Sequence, residues 1–389
     1  MKRAWIWLAA FFALAGTSTA QIGKTVSVSA GTPEDKALAD IYAAADGPDK
    51  VALLDKFSTD FASNSDLMLL ADQLYEQTYL AQKNYAKVYE YGEKALAIDP
   101  SNLAAAVAMV HAADEQHDAE HVFSAGEKVA AIVNAYKAAP PPGGTAETDW
   151  NRTRDENLGK SMADINYVEY AMIDAAYKAQ TPAARAALLE RYAASFPDSA
   201  YTQSVRERIP MEYQQANNTP KMMEAVQKIL SKDPNNIAML LLLADTWSTA
   251  GKELDKAEAD AQKALDLLSK AVKPPSVADD QWKQQIALQQ GLAYTSLGQI
   301  YVIRGANAKA VDVLQKAKPL LKSDTVNYAR NLYRLGFTLA KMQKTAEARV
   351  VLTEAVSLDT PWKPLAQDTL NKIGGPAART GKSTAKKGS

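Results

Sequence analysis

Residues 291–361 read GLAYTSLGQIYVIRGANAKAVDVLQKAKPLLKSDTVNYARNLYRLGFTLAKMQKTAEARVVLTEAVSLDTP, and one pattern of about 34 residues occurs in them twice. In the first copy its apolar and small residues are Tyr294, Leu297, Gly298, Tyr301, Gly305, Ala310, Leu314 and Ala317. In the second copy they are Leu332, Leu335, Gly336, Leu339, Ala348, Leu352 and Ala355. Because spacings of three and four return to one side of an α-helix, each copy predicts two helices that pack through these faces.

Two glycines stand in the interior of these predicted helices. Gly298 and Gly336 occupy the eighth position of their copies, and Ala310 and Ala348 occupy the twentieth. Glycine inside a helix costs about 0.5–1 kcal/mol relative to alanine, so its presence needs a packing reason. We predict that each glycine lies opposite the alanine of its own copy, where the two helices approach most closely.

The pattern resembles the tetratricopeptide repeat (TPR) family, in which each repeat is a helix-turn-helix unit that stacks on the next. The resemblance implies an all-α fold, namely a right-handed superhelical solenoid of antiparallel helix pairs. It also implies a non-catalytic scaffold that mediates protein-protein interaction by binding a peptide or protein in a concave groove. The composition agrees with the fold, since 47% of the residues are hydrophobic and strand-like alternation is scarce.

Weaker copies of the pattern, and the Pro/Gly-rich stretches between them, divide the chain into segments. The N-terminal part is predicted to have a signal peptide (1–20), a flexible mature N-terminus (21–32), TPR-like repeats (33–137) and a Pro/Gly-rich insertion loop (138–159). Middle TPR-like repeats (160–270) and a linker (271–280) lead to the C-terminal TPR pair (281–361), a capping helix (362–373) and a disordered basic tail (374–389). Matches of residues 52–61 with 187–196, and of 94–103 with 228–237, indicate a duplicated block within this array.

The insertion loop interrupts the repeat rhythm with three prolines and two glycines, followed by a polar stretch that contains Trp150. Loops this long within a compact array are usually functional or disordered. Two interpretations stay open: a disordered tether whose Trp150 tucks against a neighbouring helix, or a loop that contacts a partner.

The first residues have the pattern of a secretory signal peptide. Lys2 and Arg3 precede an apolar run over residues 4–15, and Ser18-Thr19-Ala20 supplies the small residues that a signal peptidase recognises. The run is too short for a permanent membrane anchor, which needs about 20 apolar residues. We therefore expect cleavage before Gln21, secretion across the inner membrane of a bacterium and a periplasmic location with no membrane span.

Composition excludes several kinds of chemistry. The chain has no cysteine, which rules out disulfides, thiolate metal sites and a cysteine nucleophile. Its formal net charge is -1, and loss of Lys2 and Arg3 would make it -3, so nucleic acid is not an expected partner. No nucleophile elbow is present, and we predict no catalytic residue, cofactor or metal site.

The three histidines form the one sequence cluster that resembles a set of metal ligands. His111, His117 and His121 lie within eleven residues and are interleaved with Asp and Glu. A secreted metal-binding protein or enzyme that uses them is therefore an alternative function. However, His117 falls at the predicted turn between two helices, and the cluster lacks the HExxH order of zinc proteases.

In TPR proteins the first helix of each repeat lines the groove, mainly through positions 2, 5, 9, 12 and 13. Carried over to the two best copies, these positions are Leu292, Thr295, Gln299, Val302 and Ile303, then Arg330, Tyr333, Phe337, Ala340 and Lys341. The partner-binding groove predicted from them consists of Thr295, Gln299, Arg330, Tyr333, Phe337 and Lys341. Aromatic and arginine side chains often carry binding energy. In a second interpretation, Tyr333 and Phe337 pack against the capping helix instead.

A more specific role within the binding class is also open. Residues 188–201, LLERYAASFPDSAY, resemble the repeats of outer-membrane assembly lipoproteins. This resemblance implies a component of envelope assembly. Those proteins carry a lipidated cysteine, which this chain lacks.

Overall fold

The computed structural model describes residues 22–374, and every regular element within this range is an α-helix. The eighteen helices of this range are α1 (Pro33–Ala43), α2 (Pro48–Asp60), α3 (Ser65–Ala81), α4 (Tyr85–Ile98), α5 (Leu103–Glu115), α6 (Ala119–Ala138), α7 (Glu147–Lys160), α8 (Met162–Lys178), α9 (Pro182–Ser195), α10 (Thr202–Gln215), α11 (Thr219–Leu230), α12 (Ile237–Ala250), α13 (Leu254–Ser269), α14 (Asp279–Ile303), α15 (Asn307–Leu320), α16 (Thr325–Lys341), α17 (Thr345–Val356) and α18 (Lys363–Lys372). None of them is both long and apolar enough to cross a bilayer. The predicted signal peptide (1–20) and the predicted basic tail after Gly374 lie outside the described residues.

Consecutive helices form hairpins through a turn that has the same backbone geometry at five places. The fifteenth repeat position there is left-handed, with φ of 58° at Lys83, 55° at His117, 55° at Asn217, 75° at Gly305 and 60° at Gln343. In each turn the N–H of the next residue donates to the carbonyl oxygen five residues before it, at 2.8 to 3.0 Å. This hydrogen bond satisfies a carbonyl at the end of the first helix and reverses the chain, so the two helices run antiparallel.

The interior glycines lie at close helix contacts, but their nearest neighbours differ from the predicted ones. A Cβ atom on Gly298 would come within 2.5 Å of Leu314 Cγ, and a Cβ atom on Gly336 would come equally close to Leu352 Cγ. The side chain nearest to Gly298 is therefore Leu314, about one helical turn beyond Ala310. The physical function of the glycine is unchanged, because it makes room for a buried leucine of the second helix.

The hairpins stack in chain order within each of two compact units, whose boundary falls inside α11 at Met222 and Met223. In the first unit, the first helices α3, α5 and α8 pack side by side, and the second helix α6 packs on α9. In the second unit, α12, α14 and α16 pack side by side, and α18 packs on both α16 and α17. The predicted all-α architecture of stacked antiparallel helix pairs is confirmed.

The segment predicted as an insertion loop (138–159) contains most of the helix α7. Trp150 Nε1 donates to the Ala139 carbonyl oxygen at 2.9 Å, and Asn157 Nδ2 donates to the Tyr136 hydroxyl at 2.7 Å. The rings of Tyr136 and Trp150 meet edge to face at 5.5 Å. Because α6 also packs directly on α8, α7 is an additional helix attached to the array. The interpretation as a disordered tether is corrected, whereas Trp150 does tuck against a neighbouring helix.

The residues at the start of the described chain, predicted to be flexible as part of 21–32, pack on the repeats. Ile22 is fully buried, and its carbonyl oxygen accepts a hydrogen bond from the Leu103 N–H at 3.4 Å. The Lys24 N–H donates to the Asp99 carboxylate at 2.7 Å. One buried side chain and two backbone hydrogen bonds thus attach this segment beside the turn between α4 and α5.

Candidate functional site

The six residues predicted to form the partner-binding groove lie on α14 and α16, which are neighbouring first helices of the second unit. Thr295 is fully buried there. Its Oγ1 donates to the Gly291 carbonyl oxygen at 2.8 Å and lies 3.2 Å from Asn331 Oδ1 of α16. Thr295 therefore joins the two helices and offers no surface to a partner, which corrects its prediction as a groove residue.

Arg330 is also engaged within the unit. Its guanidinium donates to Asp245 of α12 at 2.7 Å, and 12% of its side chain is exposed. Removing one member of such a largely buried pair would leave the other charge poorly solvated. Arg330 thus links α12 to α16, and its charge is already paired.

Arg334 is a buried charge that the repeat positions did not identify. It is 5% exposed, and its guanidinium donates to the Thr295 carbonyl oxygen at 3.2 Å and to the Thr249 hydroxyl at 3.3 Å. Burial, and then the nearby charge of Arg330, lowers the pKa of Arg334 to about 9. It stays charged at neutral pH and connects three first helices. The signal available in the sequence was an arginine between the buried leucines Leu332 and Leu335 of α16.

Apart from Arg330, whose charge is paired with Asp245, four of the predicted residues keep contact with solvent, and we call Gln299, Tyr333, Phe337 and Lys341 the groove face. The rings of Tyr333 and Phe337 lie 6.1 Å apart, and Lys341 Nζ lies 5.3 Å from the Phe337 ring centroid. Tyr333 also stacks on Trp362, the residue before α18, at 5.9 Å. Tyr333 thus packs against the capping region, and Phe337 and Lys341 are partly exposed beside it; partner binding by these side chains stays a prediction.

The three histidines are held apart by separate interactions. His111 stacks on Tyr167 of α8 at 4.0 Å, and burial lowers the pKa of its imidazole. His117 occupies a left-handed turn position, and the His121 ring nitrogen lies 2.8 Å from Asp118, the residue that caps α6. Among the described residues, no three His, Asp or Glu side chains converge in a way that could hold a metal ion. The structure therefore gives no support to the metal-binding alternative.

No known protein-family profile matches this chain, and no curated protein matches it. Among solved structures, a chain of the APC/C hetero-tetramer Cut9-Hcn1 is similar at 17% identity and a TM-score of 0.41, over 88% of this chain and 63% of that chain. Yeast Tom70 is similar at 13% identity and a TM-score of 0.40, over 90% of this chain and 66% of that chain. The protein thus spans less than two thirds of either of these chains. Its assignment to a helical-repeat architecture depends on its own repeats and helix packing.

Proposed function

We propose that this protein is a non-catalytic scaffold that binds a peptide or protein segment at the groove face. The observation that carries the proposal is the placement of Gln299 and Phe337 at the same repeat position of two adjacent first helices, with Tyr333 and Lys341 beside them. Aromatic side chains are frequent carriers of binding energy. Contacts with Lys341 and with Trp362 hold the two rings in place, which lowers the conformational entropy lost on binding.

The other two predicted groove residues hold together the helices that carry this surface. Thr295 and Arg330 attach α16 to α14 and α12, and Arg334 fills the space between the helices. A rigid helix pair positions binding side chains more precisely than a loop would. The groove face is therefore a preformed surface that needs little rearrangement to accept a segment.

Site-specific photo-crosslinking tests the groove face directly. With benzoylphenylalanine in place of Phe337, we expect a discrete adduct from an envelope extract, and about tenfold less of it when Lys341→Glu is added, because a contact next to the anchor is lost. The control probe replaces Val350 on α17, which is 69% exposed. Equal adducts from both positions, or none from position 337, would contradict the proposal.

We further propose that the scaffold acts in a bacterial cell envelope, on the basis of the leader pattern in residues 1–20. Mass spectrometry of protein from an envelope fraction is expected to find Gln21 at the N-terminus. If the protein is found only in the cytoplasmic fraction, as an intact chain that begins at Met1, this location is refuted. That result would not bear on the groove face.

A further inference from the structure

A cavity of about 440 Å³ lies between α2, α3 and α4 in the first unit. Its lining combines apolar, aromatic and charged side chains: Ser58, Met68, Asp72, Tyr75, Tyr91, Lys94, Ala97 and Ile98. The repeat pattern assigns no function to this cavity, and the groove face belongs to the other unit. A buried acid next to stacked aromatic rings makes it a candidate binding site in its own right.

Asp72 is the buried acid of the cavity. It is 4% exposed, and no described residue donates a hydrogen bond to its carboxylate. Burial raises the pKa of Asp72 to about 6, and the charge of Lys94 offsets part of this rise. The Lys94 Nζ donates to Glu90 at 2.8 Å and makes no direct ion pair with Asp72. The Asp72 carboxylate therefore borders the cavity without a hydrogen bond from a described residue, and an incoming cation would give it a partner.

Two tyrosine rings form the wall beside Asp72. Tyr75 and Tyr91 are stacked with centroids 4.2 Å apart, and Tyr79 extends the stack at 5.6 Å from Tyr91. The face of an aromatic ring attracts cations. Lys94 Nζ already lies over the Tyr91 ring, 4.2 Å from its centroid, so a ligand ammonium at this ring would take the place of the lysine ammonium.

We propose that the cavity binds an alkylammonium group. The ammonium donates to the Asp72 carboxylate beside the Tyr75 and Tyr91 rings, and the alkyl chain packs against Met68 and Ile98. An anion would be repelled by the carboxylate, and a neutral alkyl group would leave it unpaired. A free alkylamine and a lysine side chain of a partner peptide both present the required group.

The charged groups around Asp72 determine how binding depends on pH. Lys94 and Glu90 on α4 hold each other, Glu76 is buried one turn along α3, and Asp55 on α2 accepts a hydrogen bond from the adjacent tyrosine hydroxyl. An alkylammonium stays charged between pH 5 and 7.5, so protonation of Asp72 is the event that weakens binding. Because its pKa is about 6, about a tenth of Asp72 is ionised at pH 5, and the affinity should fall about tenfold from pH 7.5.

Titration calorimetry of the intact chain with n-butylammonium chloride tests the site. We expect saturable binding at pH 7.5 that Asp72→Asn weakens by about tenfold or more, because the charge-assisted hydrogen bond is lost. Asp60→Asn makes the same charge change at an exposed position of α2 and should leave the affinity unchanged. Tyr91→Leu removes a ring but keeps the carboxylate, so it should weaken binding even if Asp72→Asn impairs folding.

A lysine blocked at both ends, N-acetyl-lysine N-methylamide, separates the two sources of the group. Tighter binding of the blocked lysine than of butylammonium identifies a lysine side chain of a partner, and weaker binding identifies a free amine; either result supports the site. Absence of saturable binding by both amines would overturn the proposal. Equal binding to the wild type and Asp72→Asn, or equal competition by n-butanol, would also overturn it.

Discussion

Replacing Gly298 with alanine should lower the free energy of unfolding by about 1–3 kcal/mol, as expected for overpacking of a core. The added Cβ would come within 2.5 Å of Leu314 Cγ, and Leu314 is fully buried in a core cluster, so it can move only by displacing its neighbours. Loss of a helical glycine contributes about 0.5–1 kcal/mol in the opposite direction, which the steric overlap outweighs. Urea unfolding followed by circular dichroism measures the change.

A double-mutant cycle isolates this contact. Leu314→Ala alone should cost about 2–5 kcal/mol through the cavity it leaves. In that background Gly298→Ala should be neutral or stabilising, because the overlap is gone. Gly159 of α7 is a matched control, since no atom lies near its added Cβ, and Gly159→Ala should not destabilise. Additive effects of the changes at positions 298 and 314 would show that these helices do not pack as described.

The repeat spacing could predict the helices and their buried faces, but not the axial register between them. Residues three and four apart define one side of a helix, whereas the offset of the next helix depends on the turn. The left-handed residue at the fifteenth position sets that offset, and the sequence marks it with a glycine at Gly305 but with a histidine at His117. This is why a turn residue, His117, resembled a metal ligand in the sequence.

The candidate groove shows a second limit of the sequence. A repeat position specifies the direction in which a side chain leaves its helix, but it does not show which neighbour covers it. Thr295 points toward α16, where Asn331 and Arg334 contact it. The helix α7 was missed for a related reason: its sequence has little apolar periodicity, and contacts of Trp150 and Asn157 with residues near the end of α6 hold it.

Where the sequence repeats itself closely, local detail could be predicted as well. The matched segments lie in α2 and α9, and each places an aromatic pair at the helix end: Phe57 with Phe61 at 4.8 Å, and Tyr192 with Phe196 at 5.6 Å. The other matched pair, residues 94–103 and 228–237, contains an Asp-Pro turn in each segment. The asparagine that ends each turn, Asn102 or Asn236, caps the next helix, α5 or α12. Short-range hydrogen bonds and contacts follow from local sequence, so they were preserved with it.

Replacing Glu76 with glutamine should remove a large pH dependence of stability. Glu76 is 2% exposed on α3, its Oε1 is buried without a hydrogen-bond partner, and it packs against the bare backbone of Gly92. Burial, and then the charge of Asp72, raises the pKa of Glu76 to about 9. We expect the stability gained by Glu76→Gln to be roughly 2–4 kcal/mol larger at pH 8 than at pH 5.

The sign follows from where the proton is held. The folded protein keeps the Glu76 proton up to about pH 9, whereas the unfolded chain releases it above its ordinary pKa of 4.5. The contribution of Glu76 to stability is therefore fully present below pH 4.5 and declines as the pH rises toward 9, by at most about 1.4 kcal/mol per pH unit. Glutamine does not ionise, so the variant lacks this decline. Free energies of unfolding are measured against pH for both proteins. Subtracting the wild-type values from the variant values cancels the contributions of the other titrating groups.

Glu156→Gln is the control for this experiment, because Glu156 is exposed on α7. Its free energy of unfolding, plotted against pH, should run parallel to that of the wild type. Parallel curves for Glu76→Gln as well would mean that water reaches Glu76 and that its proton is released near pH 4.5. Asp72→Asn provides an independent check. It removes the negative charge that contributes to the raised pKa of Glu76, so Glu76 should ionise at a lower pH in that variant, and the decline in stability should end earlier.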